Sequence, residues 1–172
     1  MKPFKLFETE RLILKPTLKE DAAFILELLN TPGWKAFIGD RHVNTIEDAR
    51  NYIKERMLTQ LFSLGYGNYT VIRRQDNVKT GTCGLYKRTG LQGVDIGFAF
   101  LPQYMGTGYA FEAATKIMQE ARDSFGLEKL QAITTEDNTS SQKLLGKLGL
   151  TFRQNIHLPN IQNEMMLYST DL

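Results

Sequence analysis

Phe98-Ala99-Phe100-Leu101-Pro102-Gln103-Tyr104-Met105-Gly106-Thr107-Gly108-Tyr109-Ala110 changes periodicity halfway along. Up to Leu101 it is an aromatic and apolar strand, which Pro102 stops. From Gly108 onward Ala110, Ala114, Ile117 and Ala121 repeat at helical spacing, and Gly126 is placed to end the helix. A strand that runs through glycines into a helix start makes a phosphate cradle. Free main-chain amides point outward there, the helix dipole is positive, and missing side chains let an anion approach. A tight structural turn is the competing reading. Two nucleotide motifs fit poorly. A Walker loop needs Lys after its last glycine, where Tyr109 stands, and a dinucleotide fingerprint wants a small residue where Phe111 stands.

Upstream of this stretch, residues 68–73, 78–87 and 94–101 are rich in β-branched and aromatic residues. Turn signals at 75–77 and 89–93 separate them, so they read as an antiparallel meander. Downstream, residues 130–135 form a strand that the intervening helix makes parallel to 94–101 through a right-handed crossover. Asn138 caps a further helix with Leu144, Leu145 and Leu148 inward and Gly149 behind it, and two closing strands cover 150–155 and 163–169. Near the N-terminus, residues 10–15 alternate as a strand, and Thr17 with Glu20 forms a capping box. The helix that follows carries Leu18, Ala22, Ile25 and Leu29 inward and breaks at Thr31-Pro32-Gly33. Residues 34–44 have no clear period. A second helix starts at Thr45-Ile46-Glu47-Asp48 and runs towards Gly65. The sum is one α+β domain over residues 1–172, built on a mixed sheet of about seven strands with four main helices.

The chain has 172 residues, 42% of them hydrophobic and 23% charged, enough to bury a sizeable core. Its formal net charge is +2, and no basic run is long enough to track a nucleic-acid backbone. No apolar run approaches the roughly 18 residues of a membrane span. The start, Met1-Lys2-Pro3-Phe4-Lys5, has no apolar stretch behind it, so no secretory signal is visible and a cytoplasmic location is expected. Cys83 stands alone and only His42 and His157 accompany it, which leaves no disulfide and no zinc set. Cys83 as an acyl nucleophile competes with Cys83 as a small buried hydrophobe.

Element order and motifs together resemble the GNAT superfamily of acetyl-CoA-dependent N-acetyltransferases, and within it the RimJ/RimL-like branch. Glu8-Thr9-Glu10-Arg11-Leu12-Ile13-Leu14 resembles that branch's opening strand and Asp95-Ile96-Gly97-Phe98 its fourth. Gly106-Thr107-Gly108-Tyr109-Ala110 with Glu112-Ala113 resembles its pyrophosphate turn. Asn138-Thr139-Ser140-Ser141 and Lys147-Leu148-Gly149-Leu150 resemble its later signature. The resemblance implies a GNAT fold, with the family's fourth and fifth strands splayed around acetyl-CoA. It also shows two departures. Met105 stands where the family has Arg or Gln, although a register on Gln103 satisfies the letters two residues further from the helix start. Leu145 stands where other branches carry a proton-donating tyrosine.

Attack of a neutral amine on a thioester needs a base, donors for the oxyanion and an acid for the thiolate. The resemblance implies that main-chain groups of Phe98, Phe100 and Leu101 hold the pantetheine arm, and that the backbone of Met105, Gly106, Thr107, Gly108, Tyr109 and Ala110 holds the pyrophosphate. Asp95 is the candidate base, directly or through water, against a plain exposed carboxylate. Ser141 is the candidate donor on the thiol side and Asn138 a contact to the cofactor arm, against capping alone. Trp34, Phe37 and Ile38 would wall the acceptor pocket, with core packing as the alternative, and His42 reads as a surface residue. The expected reaction is direct acetyl transfer to a primary amine, either a protein N-terminus or a small amine, by a monomer or homodimer. A non-catalytic acyl-CoA-binding domain is the rival reading.

Overall fold

The computed structural model describes residues 4–172. Met1–Pro3, part of the segment from which no leader was read, lie outside the described residues. Eight strands share one sheet in the order β1-β2-β3-β4-β5-β6-β8-β7. They are β1 (Phe7–Glu8), β2 (Leu12–Pro16), β3 (Asn68–Arg73), β4 (Val78–Lys87), β5 (Val94–Phe100), β6 (Lys129–Thr134), β7 (Thr151–Ile156) and β8 (Met165–Asp171). The count exceeds the expected seven because of β1, whose two residues are too short to show alternation. Every neighbouring pair is antiparallel except β5 and β6, which run parallel as the crossover helix requires.

Alternation along β5 sends its side chains into two separate cores. Ile96 and Phe100 pack with Ala113, Ala114, Ile117 and Ala121 of α5 (Tyr109–Asp123) and with Leu145 of α6 (Thr139–Lys147). Ala99 and, beyond the strand, Leu101 face the first helical layer, α1 (Ala22–Leu29), α3 (Ile46–Tyr52) and α4 (Thr59–Leu64). α3 and α4 are joined by a wider π-helical turn, Ile53–Leu58. This long helix starts at Thr45 as expected, and the structure adds that Thr45 caps it. Its hydroxyl accepts from the Asp48 amide at 3.0 Å, and the Asp48 carboxylate accepts from the Thr45 amide at 2.9 Å. Among the described residues no helix is long and apolar enough to cross a membrane.

Two local expectations are corrected. The stretch after Leu29 does not stay irregular, because Thr31-Pro32-Gly33 begins a further helix, α2 (Pro32–Phe37). Thr31 caps it by accepting from the Trp34 amide, and proline at a first helical position is a start signal as well as a stop. Thr17 is not a cap. Its buried hydroxyl bonds Thr70 at 2.8 Å and accepts from Asn68 at 2.8 Å, while the Asp21 carboxylate takes the Leu18 amide instead.

Close strand packing at Gly84 yields a prediction. A Cβ there would lie 2.4 Å from the Gly67 main-chain oxygen and 2.9 Å from the Asn68 Cα, atoms of backbone that cannot swing aside. Gly84→Ala should lower stability by about 1–3 kcal/mol in denaturant titration. An unchanged midpoint would contradict the close approach.

Candidate active site

Pairing between β5 and β6 is confined to one position, Asp95 opposite Gln131, and the strands then diverge. On its other side β5 stays fully paired with β4, from Val94 to Phe100. The Leu101 amide bonds the Thr80 carbonyl at 2.9 Å, so by alternation Ala99 and Gly97 also face β4. Phe98 and Phe100 therefore aim their main-chain groups into the gap, where none of the described residues pairs them. Leu101 is corrected. Its amide is taken by Thr80 and its carbonyl accepts from the Tyr104 amide at 2.9 Å, so its backbone has no free donor for a cofactor arm.

Beyond Leu101 a short turn, Pro102–Tyr104, leads to Met105 in extended conformation and then to two left-handed glycines, Gly106 and Gly108, with φ of 72° and 82°. α5 starts at Tyr109, which places the turn in the Met105 register. The Met105 side chain is 56% exposed, and Met105 is corrected as a main-chain phosphate donor, because its amide already donates to the Pro102 carbonyl at 3.2 Å. Among the described residues nothing accepts from the amides of Gly106, Thr107 or Gly108, and those of Tyr109 and Ala110 are free as at any helix start. A Cβ on Gly106 would meet nothing within 4 Å, so this face of the turn is open.

The turn is held by a residue from the other end of the chain. Arg11 donates to the Thr107 carbonyl at 3.0 Å and to Glu112 at 2.7 Å, and lies 4.7 Å from the Tyr109 ring centroid. Glu112 also accepts from the Arg11 amide at 2.9 Å and from the Thr9 hydroxyl at 2.6 Å. Burial opposes ionisation of Glu112, but the Thr9 and Arg11 hydrogen bonds together outweigh it and hold the carboxyl below its usual value. Sequence reasoning passed over this brace. Both residues stand in motifs it singled out, but no local pattern connects positions so far apart.

Asp95 is placed differently from a base that meets its substrate. It is 1% exposed, and both carboxylate oxygens accept from Arg88 Nε at 2.9 Å. Burial lifts its carboxyl above the usual carboxylate range and Arg88 works against that rise. Direct proton transfer to Asp95 is thus closed off, and the exposed-carboxylate reading fails as well. Arg88 gave no sequence signal, since an arginine ahead of a turn reads as a surface charge.

Asn138 and Ser141 come together at the start of α6, with Asn138 Oδ1 accepting from the Ser141 amide at 3.2 Å. The cap uses only that oxygen, so Asn138 Nδ2 and the Ser141 hydroxyl have no partner among the described residues. Leu145 is buried in the core. On the other face, Trp34 and Phe37 of α2 are half-buried and Ile38 is exposed. Trp34 packs against the helical core while its indole N–H finds no acceptor. Ala36 of the same helix lines a depression of about 400 Å³ with Thr135, Glu136, Asp137, Asn163 and Glu164. Cys83 is fully buried and burial pushes its thiol up, which leaves it a core residue. His42 is exposed, with φ of 54°.

Comparison with known proteins bears on the family and the fold. The family model for the acetyltransferase (GNAT) domain matches residues 11–151. The uncharacterized N-acetyltransferase YoaA of Bacillus subtilis is 27% identical over 148 residues, which is 85% of this chain and 82% of the relative. A GNAT-family acetyltransferase from Bacillus anthracis superposes with a TM-score of 0.79 at 24% identity, over 97% of this chain and 98% of that one. RimL, the ribosomal L7/L12 α-N-protein acetyltransferase solved with coenzyme A, superposes at 0.80 with 14% identity over 98% of both chains.

The Arg11 brace predicts a pH signature. Because the Glu112 carboxyl lies below its usual value of 4.5, its contribution is present above that pH and lost as the pH falls through the lowered folded value. Glu112→Gln should cost about 1–2 kcal/mol at pH 7, and the gap from wild type should close in acid. A gap independent of pH would contradict the ionic brace.

Proposed function

Because the chain belongs to the GNAT acetyltransferase family, whose members use acetyl-CoA, we propose that it carries the acetyl group directly to a primary amine, in the manner of the RimJ/RimL branch. The observation that carries this reading is the pair of unpaired-donor sets, one on the splayed edge of β5 and one at the start of α5. Acetyl-CoA supplies an acetyl group activated as a thioester. The amides of Gly106 to Ala110 would hold its pyrophosphate, with Gly106 and Gly108 leaving room for the anion and Arg11 adding positive charge beside them. The main chain of Phe98 and Phe100 would hold the pantetheine arm and polarise the acetyl carbonyl. Asn138 Nδ2 would bond the same arm. The Ser141 hydroxyl would donate on the thiol side, a task closed to Leu145.

The acceptor amine gives its proton to water in this reading, since Asp95 is bound by Arg88. The carboxylates of Glu136, Asp137 and Glu164 around the depression beside α2 favour the approach of an ammonium group before it is deprotonated. A protein N-terminal amine, the acceptor named for RimL, or a small free amine satisfies this chemistry. The buried thiol of Cys83 suits a reducing compartment, and we place the reaction in the cytoplasm.

A thiol-release assay with acetyl-CoA across peptides, polyamines, amino sugars and amino acids tests the proposal. Release that depends on an amine is expected, and CoA binding without release for every amine would leave only a binding domain. Gly108→Val puts a branched side chain at φ of 82°, where a Cβ already lies 3.2 Å from Arg11 Nη2. It should weaken CoA binding by about 1–3 kcal/mol in calorimetry. Unchanged affinity in a folded variant would sink the cradle. Trp34→Ala should raise the acceptor KM and spare acetyl-CoA affinity. A stability loss of about 3–5 kcal/mol with parallel damage to both substrates would make Trp34 a core residue instead.

A further inference from the structure

Arg88 is a half-buried cation whose bonding is half used. Its Nε holds Asp95, yet among the described residues neither Nη group donates to any acceptor, and the side chain is 33% exposed. The guanidinium lies 5.1 Å from the Tyr86 ring centroid. Tyr86 is itself fixed, donating through its hydroxyl to Asn68, which bonds Thr17, which bonds Thr70. Burial works against the charge of Arg88, and Asp95 more than compensates. A buried ion pair of this kind adds little net stability compared with apolar residues of similar size, so stability alone does not account for it.

The position of the free Nη groups is informative. Gly84 and Gly97 stand opposite each other in the β4/β5 register, so the sheet has no side chains at that point. Tyr86 and Arg88 reach over the bare patch. A Cβ on Gly97 would lie 2.9 Å from the Tyr86 ring and 3.7 Å from Arg88 Nη2. Gly97 immediately precedes Phe98, whose main chain opens into the gap between β5 and β6. It shares its face of the strand with Ala99, on the side of α1 and α3, whereas Ile96 and Phe100 face α5. A guanidinium edge with paired N–H groups, set one residue from the reacting position and on the face away from α5, matches a carboxylate.

We propose that Arg88 binds a carboxylate of the acceptor, and that the acceptor is an α-amino acid whose amine is held beside Phe98 while its carboxylate rests on the Arg88 Nη groups. This rests on the amine-acetyltransferase reading above and narrows its acceptor. The short step from Gly97 to Phe98 requires amine and carboxylate to be close together, as they are on one α-carbon. Asp95 acts through Arg88 as a positioning residue, keeping the guanidinium charged and its Nη edge turned outward.

The test compares the standard free L-amino acids with their carboxamides, which keep the amine and lose the charge. The wild type should favour the acid form of its preferred amino acid by about 10- to 100-fold in kcat/KM. Arg88→Gln combined with Asp95→Asn removes both charges together, so neither is left buried and alone. In that variant the ratio of acid to amide should fall to near one, with the acetyl-CoA KM changed less than about twofold. Calorimetry of the same amino acids with the CoA-bound protein gives a second readout, in which binding is present in the wild type and lost in the variant. Equal use of acid and amide by the wild type would overturn the proposal, as would preference for a diamine without a carboxylate. Equal loss on both forms in the variant would assign the pair to structure alone and overturn it too. Absence of thiol release from any amine would sink the proposed function instead, and the calorimetric result would still decide whether Arg88 binds a carboxylate.

Discussion

The divergence of two parallel strands organises this protein. β5 and β6 meet at Asp95 and Gln131 and nowhere else, while each stays fully paired on its other side. Unpaired main-chain donors are costly when buried and are tolerated only beside water or a ligand. The gap therefore has to remain a crevice. Its position follows from alternation along β5, since the same register that ties Leu101 to Thr80 turns Phe98 and Phe100 towards the opening. The crossover that makes the strands parallel also begins α5 at the mouth of the crevice, so strand edge and helix start present donors along one segment of chain.

Two braces keep that segment in place. On the α5 side, Arg11 crosses from the opening of β2 to hold Thr107 and Glu112, so the glycine turn is tied to the far edge of the sheet. On the opposite side a polar chain runs from Lys79 and Asp21 through Thr70, Thr17 and Asn68 to Tyr86, and ends on the Arg88 and Asp95 pair. Most of its members are buried, where satisfied networks are rigid and unsatisfied ones are expensive. The two faces of β5 are thus specialised, with backbone donors towards the crevice and a fixed cation over the bare glycine patch.

Local order was legible in the sequence where a single residue type or period determines it. β3, β4 and β5 were read nearly to the residue from β-branched runs and turn clusters, and α5 from its alanine face and its glycine stops. The turn register was legible too, because left-handed glycines and a helix start are both local. α2 was missed because Pro32 was read as a breaker, although Thr31 before it supplies a cap. The site was legible as a place more than as a mechanism. Asp95 could be named from its strand, but its partner Arg88 comes from the far side of a turn, and Arg11 meets Glu112 across most of the chain. Side-chain pairing at such separations is set by tertiary packing and leaves no periodic trace.

The most direct measurement is amide hydrogen exchange, resolved by residue along β5, with and without CoA. If the divergence of β5 and β6 is what creates the site, the Phe98 and Phe100 amides should exchange quickly in the free protein and become protected when CoA is bound. The Leu101 amide, already bonded to Thr80, should be protected in both states. Protection of Phe98 and Phe100 in the free protein, or exchange there that ignores CoA, would contradict the account.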